Sequence, residues 1–275
     1  MLNNGSYISE EQQKTIIING NSLNPESFVS AQYSANNAAK GIFAVSDGMG
    51  GHNAGEVASL LAVAYLNNAR NYILNTEQIE ASVERYQQYV NQVNREICNK
   101  AHRNSGLDGM GATLSSLILK NDSVVAVNIG DSRVYKYDGE NLLQMTKDHT
   151  EGQRLLDLKL LTVKEVESFK SRKALSRYLG MNDDFAILKG EATDIFPIHQ
   201  REWFLLCSDG LSDVVFDSMI EMILGQFYKF GNIKEAVQTL VKAALDGVNG
   251  RHGGSDNITA MIVEISPSSE SCRGK

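Results

Sequence analysis

Residues 203–213, WFLLCSDGLSD, run five apolar residues of strand type straight into a tight acidic turn at Asp209-Gly210. The same construction recurs at 42–49, IFAVSDGM, where the turn is Asp47-Gly48. It returns in reverse order at 253–263, GGSDNITAMIV, where Asp256-Asn257 precedes the apolar run. A carboxylate at the end of a buried strand is costly unless something positive sits beside it. Three of them, far apart in sequence and alike in setting, point to one oxygen-ligand site for hard divalent cations.

Two further carboxylates extend the pattern. Asp131, in 128-NIGDSRVY-135, again sits just past an apolar run, and Asp213 lies four residues beyond Asp209. If Leu211 starts a helix, Asp209 caps it and Asp213 in its first turn faces the same way. Gly48, followed by Met49-Gly50-Gly51, leaves the main chain bare, so its carbonyl can join the Asp47 side chain as a ligand. Taken singly, each such Asp is an ordinary turn former or helix cap. Their repetition at strand ends favours ligation. Five carboxylates around one pocket suit two or more Mg²⁺ or Mn²⁺ ions, which share a water, lower its pKa and stabilise an in-line displacement.

Outward from these turns the pattern predicts α+β layering, with strands and helices in separate blocks. Early strands are expected at 15–18 and 27–32, and a helix apolar on most sides at 55–72. Across 77–103, Ile79, Val83, Tyr86, Val90, Val93, Ile97 and Ala101 recur at steps of four and three, the stripe of a long amphipathic helix that lies across a sheet. Strands at 112–119, 123–129, 133–137 and 142–145 follow with short turns and read as an antiparallel meander. Residues 149–184 change to short charged helical pieces, EGQRLLDLKL, TVKEVESFKS and ALSRYLG, expected to form a small mobile subdomain. Strand character returns at 185–193 and 203–207. Helices at about 216–230 and 233–248 precede the last strand, and the tail SPSSESCRGK is expected to be disordered. The domain reading is one domain over 1–267, with the small subdomain at about 149–184 and a tail at 268–275.

Composition narrows the function. Hydrophobic residues at 42% and charged residues at 21% are ordinary for a globular chain, and only 3 prolines are present. The formal charge of −7 argues against nucleic acid as partner. It also means that clustered carboxylates repel a phosphate dianion unless bound cations reverse the local field. Cys98, Cys207 and Cys272 form no CxxC pair and no zinc spacing, so a reducing compartment suits the chain. The start MLNNGSYISEEQQK lacks a basic region and an apolar signal core, and no apolar run reaches the length of a membrane span. The expectation is a cytoplasmic monomer with no membrane or nucleic-acid partner.

In that order, VSDGMGGHNAGEVAS (45–59), GMGATL (109–114), NIGDSRVYKYDG (128–139), LLCSDGLSDVV (205–215) and GGSDNITAMIV (253–263) resemble the PPM (type 2C) metal-dependent serine/threonine protein phosphatases in their compact bacterial form. The likeness runs from about 41 to 264. It implies a four-layer α-β-β-α sandwich with a flap subdomain at 149–184, whose KALSRYLG is similar to a run usual in the family. It implies a binuclear Mn²⁺/Mg²⁺ centre at one edge. Asp47 would bridge the two core ions, Gly48 would give its carbonyl to one, and Asp209 and Asp256 would bind the other. Asp131 and Asp213 match positions that hold a third, weaker ion. The implied reaction is direct attack of a metal-activated water on phosphoserine or phosphothreonine in proteins, the targets of a serine/threonine kinase, with Asp47, Asp209 and Asp256 as the catalytic set.

The departures cluster at the N-terminal motif. Asn21 stands where the family usually has the Arg that clamps phosphate, and an amide does not reproduce a bidentate guanidinium. Pro25 removes a backbone donor, and Glu26 keeps a carboxylate one methylene longer, positioned to touch metal-held solvent. No arginine precedes Arg70, and Lys14 and Lys40 are the cations available nearby. The expectation is a real but weakened activity with a raised KM. For the general acid, Met49 occupies the position where eukaryotic relatives often have His, and His52, His149 and His252 are weak alternatives to protonation by solvent at the metals. The rival reading is a pseudophosphatase that keeps the metals and binds a phosphoprotein without turnover. A metal-dependent nuclease suffers from the acidic balance.

Overall fold

Apolar runs with few polar interruptions become strands buried on both faces. The structure, a computed structural model, describes residues 26–34 (backbone), 40–50, 54–181, 187–248, 250–254 and 256–267. The strand expected at 15–18 and the tail lie outside the described residues. In chain order the strands are β1 (Glu26–Ser34), β2 (Lys40–Val45), β3 (Gly48–Met49), β4 (Gly111–Ala112), β5 (Leu114–Lys120), β6 (Ser123–Ile129), β7 (Arg133–Tyr137), β8 (Leu142–Gln144), β9 (Glu191–Ala192), β10 (Phe196–Pro197), β11 (Glu202–Cys207) and β12 (Ile258–Ser266). The helices are α1 (Ala54–Leu74), α2 (Ile79–Arg103), α3 (Glu151–Asp157), α4 (Val163–Ser168), α5 (Asp209–Ser212), α6 (Asp217–Tyr228) and α7 (Ile233–Asp246).

Two sheets carry the molecule. One runs β1–β12–β11–β7–β8, and the other runs β10–β6–β5–β2 with β9 also on β6. The pairings within them are antiparallel, except that β1 lies parallel to β12 with Glu26 opposite Ile258. Alternation along each strand then sorts side chains into three cores. Phe43 and Val45, Phe204 and Leu206, and Met261 and Val263 meet between the sheets. Ile42 and Ala44 face the other way onto α1 and α2, joined by Ile118, Val125 and Val127. Trp203, Leu205 and Cys207 face α6 and α7 with Ala260 and Ile262. Three cores between four layers give the α-β-β-α sandwich implied by the motifs.

Helix α2 buries the expected stripe. Ile79, Tyr86, Val90, Val93 and Ile97 are buried, with Val83 and Ala101 packed at its edge. Tyr86 Oη bonds Ser116 Oγ at 2.6 Å, and Tyr89 Oη donates to the Ala62 carbonyl at 2.6 Å, so the buried phenols carry their own partners.

Three expectations fail, the first being the strand at 185–193, of which the described residues keep only the two-residue β9 at Glu191–Ala192. The run 112–145 is not one meander, because β5 and β6 lie in one sheet while β7 and β8 lie in the other. Both sides of β6 are already occupied, by β5 and by β9 and β10, so the chain turns at Gly130 (φ 100°) and β7 takes β11 as its partner. ALSRYLG is not a helix. Leu179 exchanges two backbone hydrogen bonds with Ala112, at 2.8 and 2.9 Å, and Leu175 bridges Thr150. Amides committed across to β4 cannot close a helical ladder. The other two flap pieces are the short helices α3, capped by Thr150, and α4, with a capping box between Thr162 and Glu165.

Candidate metal centre

The Asp209 and Asp256 turns meet at one end of the sandwich because their backbones touch, and the Asp47 carboxyl lies within reach of their charge. Gly210 packs so closely on the 256–258 turn that a Cβ there would lie 2.1 Å from the Asn257 carbonyl oxygen. Ser208 secures the approach: its N–H donates to Thr259 O at 3.1 Å, and its hydroxyl accepts from Thr259 N–H at 3.0 Å. The Asp209 and Asp256 turns are therefore one construction. Gly48 packs against Gly55 at the start of α1 in the same way, with its added Cβ 2.1 Å from Gly55 O. Only glycine fits either position.

The Asp47 turn is held from the other side by Thr113. Asp47 N–H donates to Thr113 Oγ1 at 2.9 Å, and Thr113 N–H donates to Asp47 O at 2.8 Å. Thr113 Oγ1 also bonds Ser132 Oγ at 2.7 Å, next to Asp131. One threonine thus ties the Asp47 turn to the Asp131 turn. Nothing in residue spacing announces Thr113, Ser132 or Ser208. Their membership of GMGATL, NIGDSRVY and LLCSDGL is the available signal, and it does not reveal which hydroxyls pair.

The carboxylates at this edge are in an adverse field. Burial and the neighbouring Asp209 charge hold the Asp47 carboxyl well above its usual range, with Asp256 and Asp131 adding to the effect. Burial, then Asp256 and Asp213, raise Asp209. Burial, then Asp209 and Asp148, push Asp131 up to about 7. Asp209 Oδ1 is buried without a partner. Excess negative charge on buried carboxyls and an orphaned oxygen are together what a cation would relieve. The donors are hard oxygens, which suits Mn²⁺ or Mg²⁺. Among the described residues, no group of three or more His, Cys, Asp or Glu side chains is drawn tightly enough to hold an ion as it stands. The turns converge; the side chains stop short of ligand spacing.

The remaining site expectations divide. Asp209 is the first residue of α5 rather than its cap; Ser208 caps it, and Asp213 closes the turn at the far end, with its N–H on Asp209 O at 2.8 Å. The helix starts two residues early because the Ser208 carbonyl already accepts from Leu211 at 3.2 Å. The Asp213 carboxylate pairs with Lys173 of the flap. For Glu26 the backbone lies beside Ile258, two residues past Asp256. Its side chain, and Lys14, Asn21, Pro25 and His52, lie outside the described residues.

Met49 belongs to β3 opposite Gly111, and His252 is exposed. His149 is buried and committed: Nδ1 accepts from Gly130 N–H at 3.2 Å, which leaves Nε2 to donate to Glu191 Oε2 at 3.0 Å. Burial and the Arg177 charge lower its pKa and favour this neutral tautomer. It pins the flap base to the turn before Asp131 and has no proton to spare for a leaving group.

A cleft of about 220 Å³ lies between this edge and the flap, with Asp131, Asp209 and Asp213 on one wall and Arg172 and Lys173 on the other. The family profile described as Protein phosphatase 2C matches residues 28–246. The chain is 33% identical over 226 residues to the serine/threonine phosphatase stp of Listeria innocua, covering 81% of this chain and 84% of that protein. It is similar to the crystal structure of the Mycobacterium tuberculosis serine/threonine phosphatase PstP/Ppp, with TM-score 0.67, 32% identity and coverage of 85% and 92%. A structure of the PstP catalytic domain in complex with two manganese ions matches with TM-score 0.65, 32% identity and coverage of 80% and 85%.

Proposed function

This chain belongs to the protein phosphatase 2C family, and on that premise we propose that the Asp47, Asp209 and Asp256 turns form its catalytic centre. The enzyme is a Mn²⁺-dependent serine/threonine protein phosphatase acting on phosphoproteins. The observation that carries the site assignment is the backbone contact of Gly210 on Asn257, joined to the crowding of the buried Asp47 and Asp209 carboxyls, each held above its usual range by burial and its acidic neighbours.

In this reading Asp47, the Gly48 carbonyl, Asp209 and Asp256 would hold the two core ions. Asp131 and Asp213 would hold an outer third, and Glu26 is counted in the same metal set. Bound manganese neutralises the carboxylates, attracts the phosphate dianion and acidifies water. The protein's part is placement. Thr113 and Ser208 hold the turns in register, so little reorganisation accompanies reaction. Water attacks phosphorus directly, and solvent protonates the leaving alkoxide because His149 is engaged elsewhere. With Asn21 at the phosphate-clamp position, KM is raised.

Residues up to 267 act as one domain with the flap at about 149–184, and the last eight residues lie outside it. The enzyme works as a cytoplasmic monomer on targets of a serine/threonine kinase; among the described residues, no helix is long and apolar enough to cross a membrane. The test is release of p-nitrophenol from p-nitrophenyl phosphate. Turnover is expected with Mn²⁺, none after chelation, and a loss in Asp209→Asn above about a hundredfold, since even outer-shell partners of metal ligands cost about 10- to 100-fold. Wild-type turnover in Asp209→Asn contradicts the assignment.

A further inference from the structure

Lys173 reaches from the flap across the cleft and pairs with the Asp213 carboxylate. Neither partner is a loose surface side chain at its root. On either side of Lys173 the backbone is tied to the start of α3: Gly152 N–H donates to Arg172 O at 3.0 Å, and Glu151 N–H donates to Ala174 O at 2.8 Å. Gly152 permits that approach, since a Cβ there would lie 2.8 Å from Arg172 O. Asp213 is fixed through its own main chain. Its N–H bonds Asp209 O, and its carbonyl accepts from the Arg251 guanidinium, which stacks on Phe216 at 3.7 Å. The ammonium therefore arrives at the same wall of the cleft as Asp131 and Asp209.

We propose that Lys173 is a tethered cation that competes with the outer divalent ion for Asp213. The inference rests on the metal-centre reading above. One carboxylate oriented onto an ammonium is not free to ligate, so an ion entering at Asp131 and Asp213 displaces the lysine from the cleft wall. By reciprocity, the lysine weakens that ion by the same factor by which the ion weakens the pair. The side chains are 61% and 38% exposed, which limits the factor to what a solvated ion pair supports, up to about fivefold. Flap docking and ion occupancy are thereby linked through one contact.

Calorimetric titration of Mn²⁺ into the full chain, stripped of metal and held at low ionic strength, reads this directly. In Lys173→Met the weakest Mn²⁺ event tightens at least twofold or becomes visible where wild type shows none, while the tighter events stay unchanged. Lys173→Arg behaves as wild type. Lys170→Met removes an equal flap charge outside the pair and leaves the titration unchanged. Adding Asp213→Asn to Lys173→Met abolishes the gain. A change below twofold in Lys173→Met, an equal gain in Lys170→Met, or an outer event absent from both wild type and Lys173→Met overturns the role of Lys173 and leaves the core centre standing. Absence of every Mn²⁺ event overturns both.

Discussion

Burial, with the neighbouring acidic side chains, holds the Asp47, Asp209 and Asp131 carboxyls above their usual range in the metal-free fold. That has a consequence for stability. A carboxyl whose folded pKa lies above its unfolded value binds protons more tightly in the folded state. Its contribution is fully present below about pH 4 and is lost as pH rises, through about 7 for Asp131. The chelated chain is expected to lose a few kcal/mol between pH 5 and pH 8, read as a falling Tm in thermal scans. Saturating Mn²⁺ removes the decline, because the ion binds the ionised carboxylates. A Tm for the chelated chain that is flat or rises over that interval contradicts the account. The acidic residues themselves were legible in the sequence, since Asp-Gly after an apolar run is a local signal. Lys173 was not, because in sequence it is one charge among several in a polar segment.

The turns stay in register through the elements that carry them, and Thr113 between β4 and β5 is the clearest case. Its hydroxyl accepts from Asp47 N–H and bonds Ser132 Oγ, so Thr113→Val leaves two buried polar groups without partners. The expected cost is about 1–3 kcal/mol per abandoned group, measured by chemical denaturation, with a lowered kcat. Thr113→Ser restores most of both. Unchanged stability and kcat in Thr113→Val remove Thr113 from the positioning role. At this scale the sequence reading was uneven for physical reasons. The α2 stripe was plain because only one face of that helix is buried. The sheet membership of β7 was hidden, because strands buried on both faces show no polar alternation and a short turn serves equally within or between sheets. The ALSRYLG segment carries helical residues, but its Leu179 and Ser176 amides bond the Ala112 and His149 carbonyls, partners that local pattern does not contain.

Over the whole molecule, the two sheets bring the ends of β2, β11 and β12 to one edge, where separate stretches of an acidic chain contribute carboxylates to one field. Burial of three apolar layers holds that edge against its own repulsion. The layering was legible from the motif order, whereas the closeness of the turns depends on Gly210, Gly48 and Ser208 contacts made only in the folded chain. A crystal grown with Mn²⁺ and measured at the manganese absorption edge tests the central assignment most directly. The account predicts two strong anomalous peaks within about 2.0–2.4 Å of oxygens from Asp47, Gly48, Asp209 and Asp256, distances usual for hard divalent ions. Peaks elsewhere, or none at saturating manganese with these three carboxylates apart, contradict it.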